Sequence, residues 1–356
     1  MLTRPYIAID IGSSSIKIVE LVGGRQRKLK ALGLELIPPG AVVDGEIREP
    51  EVVQRIIERL LERLKITPTG RRAAISLSGG AVMLKKINVE ITPESDLTET
   101  IFHEAEQHFQ QDMNEIYFRY QELGPIPDGG GPLPVLLAGA KREAVEQHIA
   151  LVRSVGMRTG VVDCDALCTA NMFEYNHPGV DQLIALVNIG SSVSQVTLIK
   201  NGQFLFTRDI IHGGAEYTRQ ISEALQVDPE SAEGMKLSAG QGEMPGSAEI
   251  SKVITHLNDQ MVQEIRSSLD FFFQSGDVPE ALTQVNHIYL TGGGSRILGL
   301  DAAIAGAFQV HVQIGNPFYR VNVSPRQFEM DYMLRQGHLY GVAMGLALRS
   351  AGDDAA

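Results

Sequence analysis

A chain of 356 residues is longer than one hydrophobic core usually spans, so two domains are expected. The net charge of −12 argues against a nucleic-acid partner, which would need a basic face. No apolar run reaches about 18 residues and no secretory signal is visible, so we expect neither direct membrane insertion nor export. The two cysteines, Cys164 and Cys168, are typical of buried residues in a reducing cytoplasm.

The first segment predicts a β-hairpin followed by an α/β unit. Strands are expected from Tyr6 to Leu21, with a glycine-serine turn between them, and near Lys28 to Leu36. A helix is predicted from about Glu51 to Leu64, because apolar residues recur there at helical spacing. Ala73 to Leu77 is then a short buried strand. These elements begin a first half that we place at residues 1–183.

The pattern changes between about residues 79 and 157, where the predicted order is β-α-β-β-α. The strands are expected at 82–91, 115–123 and 134–140. The helices are expected from a start at 92–96 to about 109 and at 142–155. We interpret this segment as a small subdomain inserted into the first half, with two helices over a small sheet.

The second half is predicted to cover residues 184–356. A helical arm is expected at about 216–284, interrupted at 238–246, and a buried strand then enters a triple-glycine turn. The final apolar segment, 337–349, predicts a helix that packs back on the first half.

Nearly the same glycine-serine turn occurs twice, half a chain apart. The two copies are Asp10-Ile11-Gly12-Ser13-Ser14 and Asn188-Ile189-Gly190-Ser191-Ser192. In each copy an apolar strand enters the turn and another leaves it. One copy is equally compatible with an ordinary hairpin, but two facing copies can bind a polyphosphate through backbone N–H groups and hydroxyls. Lys17 adds a cation, and Asp10 can face a metal ion.

Two further glycine motifs lie in the second half. They are Gly213-Gly214-Ala215-Glu216-Tyr217 and Thr291-Gly292-Gly293-Gly294-Ser295. Glycine at a strand-to-helix junction lets a nucleotide lie against the backbone. Glu233 and Lys236 share a helix face and can border a ribose or base, although on spacing alone a surface ion pair is the simpler interpretation.

The order of these motifs resembles that of the actin-like ATPase superfamily, over nearly the whole chain. The inserted subdomain resembles those of the FtsA and PilM families, and Ile7 to Leu21 with Pro39 to Ile47 is more similar to PilM. The C-terminal amphipathic anchor of FtsA has no counterpart here, which also favours PilM. The resemblance implies an α/β, actin-like ATPase fold, with two duplicated halves around a nucleotide cleft.

The resemblance implies that ATP and Mg²⁺ bind in this cleft. The phosphates would be surrounded by Asp10, Gly12, Ser13, Ser14, Lys17, Asn188, Gly190, Ser191 and Ser192, with Asp10 facing the metal. The ribose and base would be lined by Gly214, Glu233, Lys236, Gly293, Gly294 and Ser295. Actin-like proteins usually carry Asp where this chain has Asn188. Because Asn lacks the charge, slow ATPase activity at most is expected.

For PilM-type proteins the resemblance further implies capture of the N-terminal cytoplasmic tail of PilN, a single-span inner-membrane protein, in a groove beside the inserted subdomain. The chain would then be cytoplasmic, recruited to the inner face of the inner membrane, beside other components of the type IV pilus machine. A homo-oligomer is compatible with the sequence. Two alternatives stay open: a small-molecule kinase that uses Asp163 or Asp165 as base, and an FtsA-like division protein.

Overall fold

The computed structural model describes residues 5–349 except 25, 93, 95, 110, 128, 241–245 and 276–281. Two five-stranded sheets form its frame. The first contains β1 (Ile7–Ile11), β2 (Ser15–Val22), β3 (Lys28–Leu36), β6 (Arg72–Leu77) and β10 (Arg158–Cys164), and a separate two-stranded ribbon contains β4 (Val42–Val43) and β5 (Glu46–Ile47). The second contains β11 (Leu183–Ile189), β12 (Ser194–Lys200), β13 (Gln203–Ile210), β14 (His287–Thr291) and β15 (His311–Ile314).

The two sheets have the same topology. Their strand orders are β10-β6-β1-β2-β3 and β15-β14-β11-β12-β13. In each, the central strand pairs antiparallel with its hairpin partner and parallel with the next strand of the core. The predicted duplication of two α/β halves is therefore confirmed, and each glycine-serine turn lies at the end of a central strand.

Helices cover both sheets. In the first half they are α1 (Pro50–Arg63), α3 (Arg142–Ser154) and α4 (Asp165–Asn176). In the second half they are α5 (Gly214–Leu225), α6 (Pro229–Ser238), α7 (Ser247–Gln274), α8 (Leu300–Phe308), α9 (Met330–Gln336) and α10 (Gly341–Leu348). Helices α5, α6 and α7 occupy the predicted helical arm, of which residues 241–245 and 276–281 lie outside the described part.

The inserted subdomain is a three-stranded sheet covered by one helix. It contains β7 (Val82–Ile91), α2 (Leu97–His108), β8 (Ile116–Glu122) and β9 (Gly131–Lys141), with the strand order β7-β9-β8. Helix α2 buries Ile101 and Ala105 against this sheet. The Asp96 carboxylate caps the helix by accepting the N–H of Glu99 at 3.1 Å.

The predicted second helix, α3, packs on the small sheet only with its N-terminal part, which contacts β9. Helix α3 buries Leu151 and Val152, followed by Val155, in the core of the first five-stranded sheet, against β6 and β10. Strand β9 has 11 residues and ends beside the main domain. Helix α3 follows it directly, so the apolar face of α3 can pack on the main sheet. The element order β-α-β-β-α is thus as predicted, but α3 also packs into the core of the main sheet.

Helix α10 packs on the first half, although it ends the second. Its residues Val342 to Ala347 are buried against β1, β2 and β6 and against α4. The contact with α4 is close, because a Cβ built on Gly345 would lie 1.9 Å from the carbonyl oxygen of Cys168. The C-terminal helix thus joins the two halves behind the cleft.

Gly345→Ala should destabilise the protein by ~3 kcal/mol, because a methyl group cannot fit against the α4 backbone without moving one helix. The matched control is Gly306→Ala in α8, where an added Cβ meets nothing within 4 Å. Since alanine has the higher helix propensity, this control should be neutral or slightly stabilising. Urea unfolding of both variants measures the difference. Equal stabilities would show that the α10 contact is looser than described.

Candidate functional site

The first glycine-serine turn joins β1 to β2 beside an ion pair. Asp10 is the second-last residue of the buried strand β1 and lies opposite Lys17 in the antiparallel register. Lys17 Nζ is 3.3 Å from Asp10 Oδ2, and their side chains are only 13% and 8% exposed. A Cβ on Gly12 would lie 3.3 Å from the same Nζ atom, so glycine leaves room beside the cation. Ser13 is partly buried and Ser14 is exposed at the turn.

The second turn is fastened to the start of α5. Gly190 N–H donates to Val193 O at 3.2 Å, and a Cβ at Gly190 would lie only 2.4 Å from that oxygen. Gly190 O accepts from Gly214 N–H at 2.9 Å, and Ser191 O accepts from Ala215 N–H at 2.9 Å. Ser192 is half-buried in the same turn. The Gly190 turn and the Gly213-Gly214 motif are therefore one structural unit.

Glu233 and Lys236 are not a simple surface ion pair. Lys236 Nζ donates to Gly214 O at 3.0 Å and to Glu233 Oε2 at 2.6 Å, and its side chain is only 8% exposed. It also donates to Thr218 Oγ1 at 2.9 Å, and Thr218 in turn donates to Glu233. The interpretation that spacing alone favoured is therefore wrong. This network attaches α6 to the glycine junction at the start of α5.

The triple-glycine turn after β14 is held by the C-terminal segment. Gly292 N–H and Thr291 Oγ1 donate to His338 O at 3.0 and 2.9 Å. Ser295 is buried and its hydroxyl donates to Gly292 O at 2.8 Å, so this side chain shapes the turn. Gly294 packs on Ile189 below the second turn, and Gly293 lies beside Leu339. The turn therefore sits next to the Gly190 hairpin.

Asp165, the first residue of α4, is a buried acidic residue whose pKa is affected by charges from both halves. Burial and the negative charge of Asp10 raise the pKa of its carboxyl to about 8, and Asp209 of β13 contributes in the same direction. A hydrogen bond with Ser76 and the charge of Lys17 act against this rise in pKa. The pKa of the Asp165 carboxyl is therefore affected by acidic residues of both halves.

A row of polar side chains crosses the second sheet near the cleft. Asn188, Gln195 and Asp209 are register partners on β11, β12 and β13. Gln195 Nε2 donates to Asp209 Oδ1 at 2.8 Å. Burial raises the pKa of Asp209, and the hydrogen bond from Gln195 opposes that rise. The carboxylate of this row is thus Asp209, which sequence reasoning missed, since nothing local marks this one strand residue.

The raised pKa of Asp165 predicts a pH-dependent stability. In the unfolded chain this carboxyl ionises near pH 4, but in the folded chain it stays protonated up to about pH 8. The unfolded state therefore binds fewer protons between these values, and the free energy of unfolding should fall as pH rises from about 4 to 8. Asp165→Asn should flatten this slope and raise stability at pH 8. Urea unfolding at several pH values measures it, and an unchanged slope would contradict the assignment.

The residues around the first turn fit a magnesium nucleotide. Among the described residues no group of three or more His, Cys, Asp or Glu side chains is arranged to hold a metal ion. Nucleotide-bound Mg²⁺ does not need such a group, since one or two carboxylates and the phosphates hold it. Asp10 supplies a buried carboxylate at the strand end, beside a lysine and a glycine turn.

A groove of about 300 Å³ lies where the inserted subdomain meets both halves. Its walls come from the end of β6, from β7 and the end of α2, from the start of α4, and from β12 and β13. On the subdomain side, Lys85 Nζ lies 2.9 Å from His108 Nδ1. Gln195, Arg208 and Asp209 line the opposite wall, and Phe109 and Ala166 supply apolar surface.

The two sheets share one topology, and a glycine-serine turn follows the central strand of each; this defines the class of fold, which is actin-like. MreB5 of Spiroplasma citri, solved with AMPPNP, is 13% identical and superposes with a TM-score of 0.54 over 97% of this chain and 95% of that one. At this identity the likeness shows the fold alone.

A family model described as type IV pilus assembly protein PilM matches residues 8–351, and the chain belongs to this family. A solved PilM-PilN type IV pilus biogenesis complex contains a chain that is 28% identical, with a TM-score of 0.84 and coverage of 98% of this chain and 99% of that one.

Cell division protein FtsA is a more distant relative. The protein of Staphylococcus epidermidis is 21% identical, covering 88% of this chain and 74% of its own length. That of Neisseria meningitidis serogroup B is 23% identical, covering 88% and 84%. Within the described part of the chain, every helix is too short or too polar to span a bilayer.

Proposed function

We propose that this chain binds ATP with Mg²⁺ between its two halves and captures the N-terminal tail of a PilN-type inner-membrane protein. The observation that carries the proposal is the likeness to the PilM-PilN complex over 98% of the chain. Tail capture would recruit the cytoplasmic chain to the inner face of the inner membrane. The chain would thereby act as an assembly component of a type IV pilus machine.

The geometry of both turns supports nucleotide binding. Backbone N–H groups and hydroxyls of Ser13, Ser14, Ser191 and Ser192 would hold the phosphates, with Lys17 as the nearby cation. Asp10 would hold Mg²⁺, which neutralises phosphate charge and orients the terminal phosphate when bound. The network of Gly214, Glu233 and Lys236 and the turn of Gly293, Gly294 and Ser295 would border the ribose and base.

Hydrolysis should be slow, because the second central strand carries Asn188 rather than a carboxylate beside its glycine-serine turn. We expect turnover far below the ~1–100 s⁻¹ typical of kinases. Asn188→Asp should raise it, since the added charge can organise water and metal in the cleft. A phosphate-release assay on both forms measures this effect. Turnover of tens per second in the unchanged protein would contradict the role given to Asn188.

The kinase alternative gains no support from Asp163. This carboxylate forms an ion pair with Arg349, at 3.3 Å between Oδ2 and Nε, and accepts the N–H of Cys164 at 2.8 Å. Its oxygens therefore serve to attach the end of α10 to the first sheet, which is a structural role.

The groove has the features that an extended peptide needs. Strands β7 and β13 line it, and each is an edge strand of its own sheet, so backbone groups at these edges can pair with an added strand. Leu84, Phe109 and Ala166 offer apolar contacts. A tail of roughly ten residues that is held extended here can reach micromolar affinity.

Titration of a labelled synthetic peptide tests this proposal. The peptide carries the N-terminal residues of the PilN-type protein from the same genome, and a scrambled peptide of equal composition is the control. We expect saturable binding of the native tail in the presence of ATP. Absence of binding, or displacement of the tail by ATP, would contradict the proposed groove.

A further inference from the structure

We propose that the Gln195–Asp209 pair couples the tail groove to the nucleotide cleft, so that ATP and the tail strengthen each other's binding. This inference rests on the proposed function and adds regulation to the same two sites. The pair adjoins both sites: both side chains line the groove, and Gln195 is the strand-register partner of Asn188 in the proposed phosphate site.

The connection from groove to cleft is short. Gln195 Nε2 donates to Asp209 Oδ1, while Gln195 Oε1 is buried and accepts no hydrogen bond from any described residue. Cys164 and Ala166, which flank Asp165, also line the groove. Because Gln195 Oε1 is buried, an occupant of the groove that donates to it must turn the Gln195 side chain, which lies opposite Asn188 of the proposed phosphate site.

The groove is also a junction of three bodies. At its base a buried cluster joins Leu136 of the inserted subdomain, Ala166 of the first half and Phe204 of the second. Strands β7 and β13 are in contact across it, and α4 packs on strands of both halves. The tail would thus contact the inserted subdomain and both halves at once.

The positions of the two ligands predict that the coupling is positive, so that each strengthens binding of the other. The nucleotide bridges the two halves on the cleft side, and the tail bridges the second half and the inserted subdomain on the groove side. Each ligand restricts the same relative motion, so the second to bind orders less of the protein and binds more tightly. By linkage, ATP must improve tail affinity by the same factor as the tail improves ATP affinity.

Calorimetric titration of the full chain tests the coupling. The tail peptide is titrated with and without AMPPNP and Mg²⁺, and the nucleotide with and without the peptide. We expect both affinities to rise by about fivefold or more in the unchanged protein. In Asp209→Asn and Gln195→Ala the tail alone should bind more weakly, because both side chains line the groove, and the ratio of affinities measured with and without the other ligand should fall below twofold. Asp181→Asn is the matched control, because it removes an exposed charge. Asp181 precedes β11 and pairs with Lys200 at the end of β12, away from the groove.

The outcomes separate this inference from the proposed function. Equal tail affinity with and without AMPPNP would overturn the coupling, even though both ligands bind. Coupling that persists in both variants would overturn the route through Gln195 and Asp209. Failure of the tail to bind the unchanged protein at all would overturn the proposed function and the coupling with it. If Gln195→Ala does not fold, the nearly isosteric Asp209→Asn decides alone.

Discussion

Replacement of residues 83–139 by a short glycine-serine linker should abolish capture of the PilN-type tail and leave ATP binding intact. The excision is feasible because Met83 and Gly139 are register partners on adjacent strands, so the cut ends lie side by side. It removes one wall of the groove but retains α3, whose side chains belong to the core of the main domain. A wider excision of 79–157 should instead unfold the first half.

The excised variant needs two safeguards. Loss of Leu84 and Leu136 uncovers Phe204, so the variant should carry Phe204→Ser to limit aggregation. Phe204→Ser in the full-length chain is the matched control for the loss of that side chain. Peptide titration and ATP titration are made on both proteins. Tail binding that survives the excision would refute the location of the groove, provided ATP binding shows that the fold is intact.

Lys17→Ala should weaken ATP binding by about 10- to 100-fold, which corresponds to loss of one hydrogen bond to a charged group. The substitution removes the cation at the first turn and leaves Asp10 without its partner 3.3 Å away, facing the phosphates. Lys30→Ala is the matched control: Lys30 lies on the neighbouring strand and pairs with Glu20, away from the turn.

The Lys17 variant is informative only if it folds. Circular dichroism and tail binding in the absence of nucleotide report on the fold. Lys17→Arg should recover part of the affinity, because it restores the charge. Unchanged ATP affinity in a folded Lys17→Ala protein would remove the first turn from the nucleotide site.

Local signals in the sequence predicted most elements of this fold. Apolar alternation and glycine-serine turns place the central hairpins, and Asn201 and Gly202 both adopt the positive φ that an Asn-Gly hairpin turn requires. The packing partner of α3 was not predictable in this way, because its apolar face shows only that it is buried. Where α3 packs depends on which sheet lies next to it in the folded chain, and the sequence of α3 does not contain that information.

The candidate site was predicted only in part, for the same reason. The glycine turns can be recognised in the sequence. The hydrogen bond from Lys236 to Gly214, in contrast, depends on how α6 packs against α5. Asp209 and Gln195 become neighbours through strand register, and the groove they line appears only when three separate segments are assembled. Contacts of this kind between distant segments have no local pattern.

A crystal structure of the full chain with AMPPNP, Mg²⁺ and the synthetic tail peptide tests the central claim most directly. The account predicts the nucleotide between the two glycine-serine turns, with Asp10 and Lys17 at its phosphates. It predicts the peptide as an extended chain in the groove lined by β7 and β13, separate from the nucleotide. A peptide bound in the nucleotide cleft, or on the outer edge strand β8, would contradict the account.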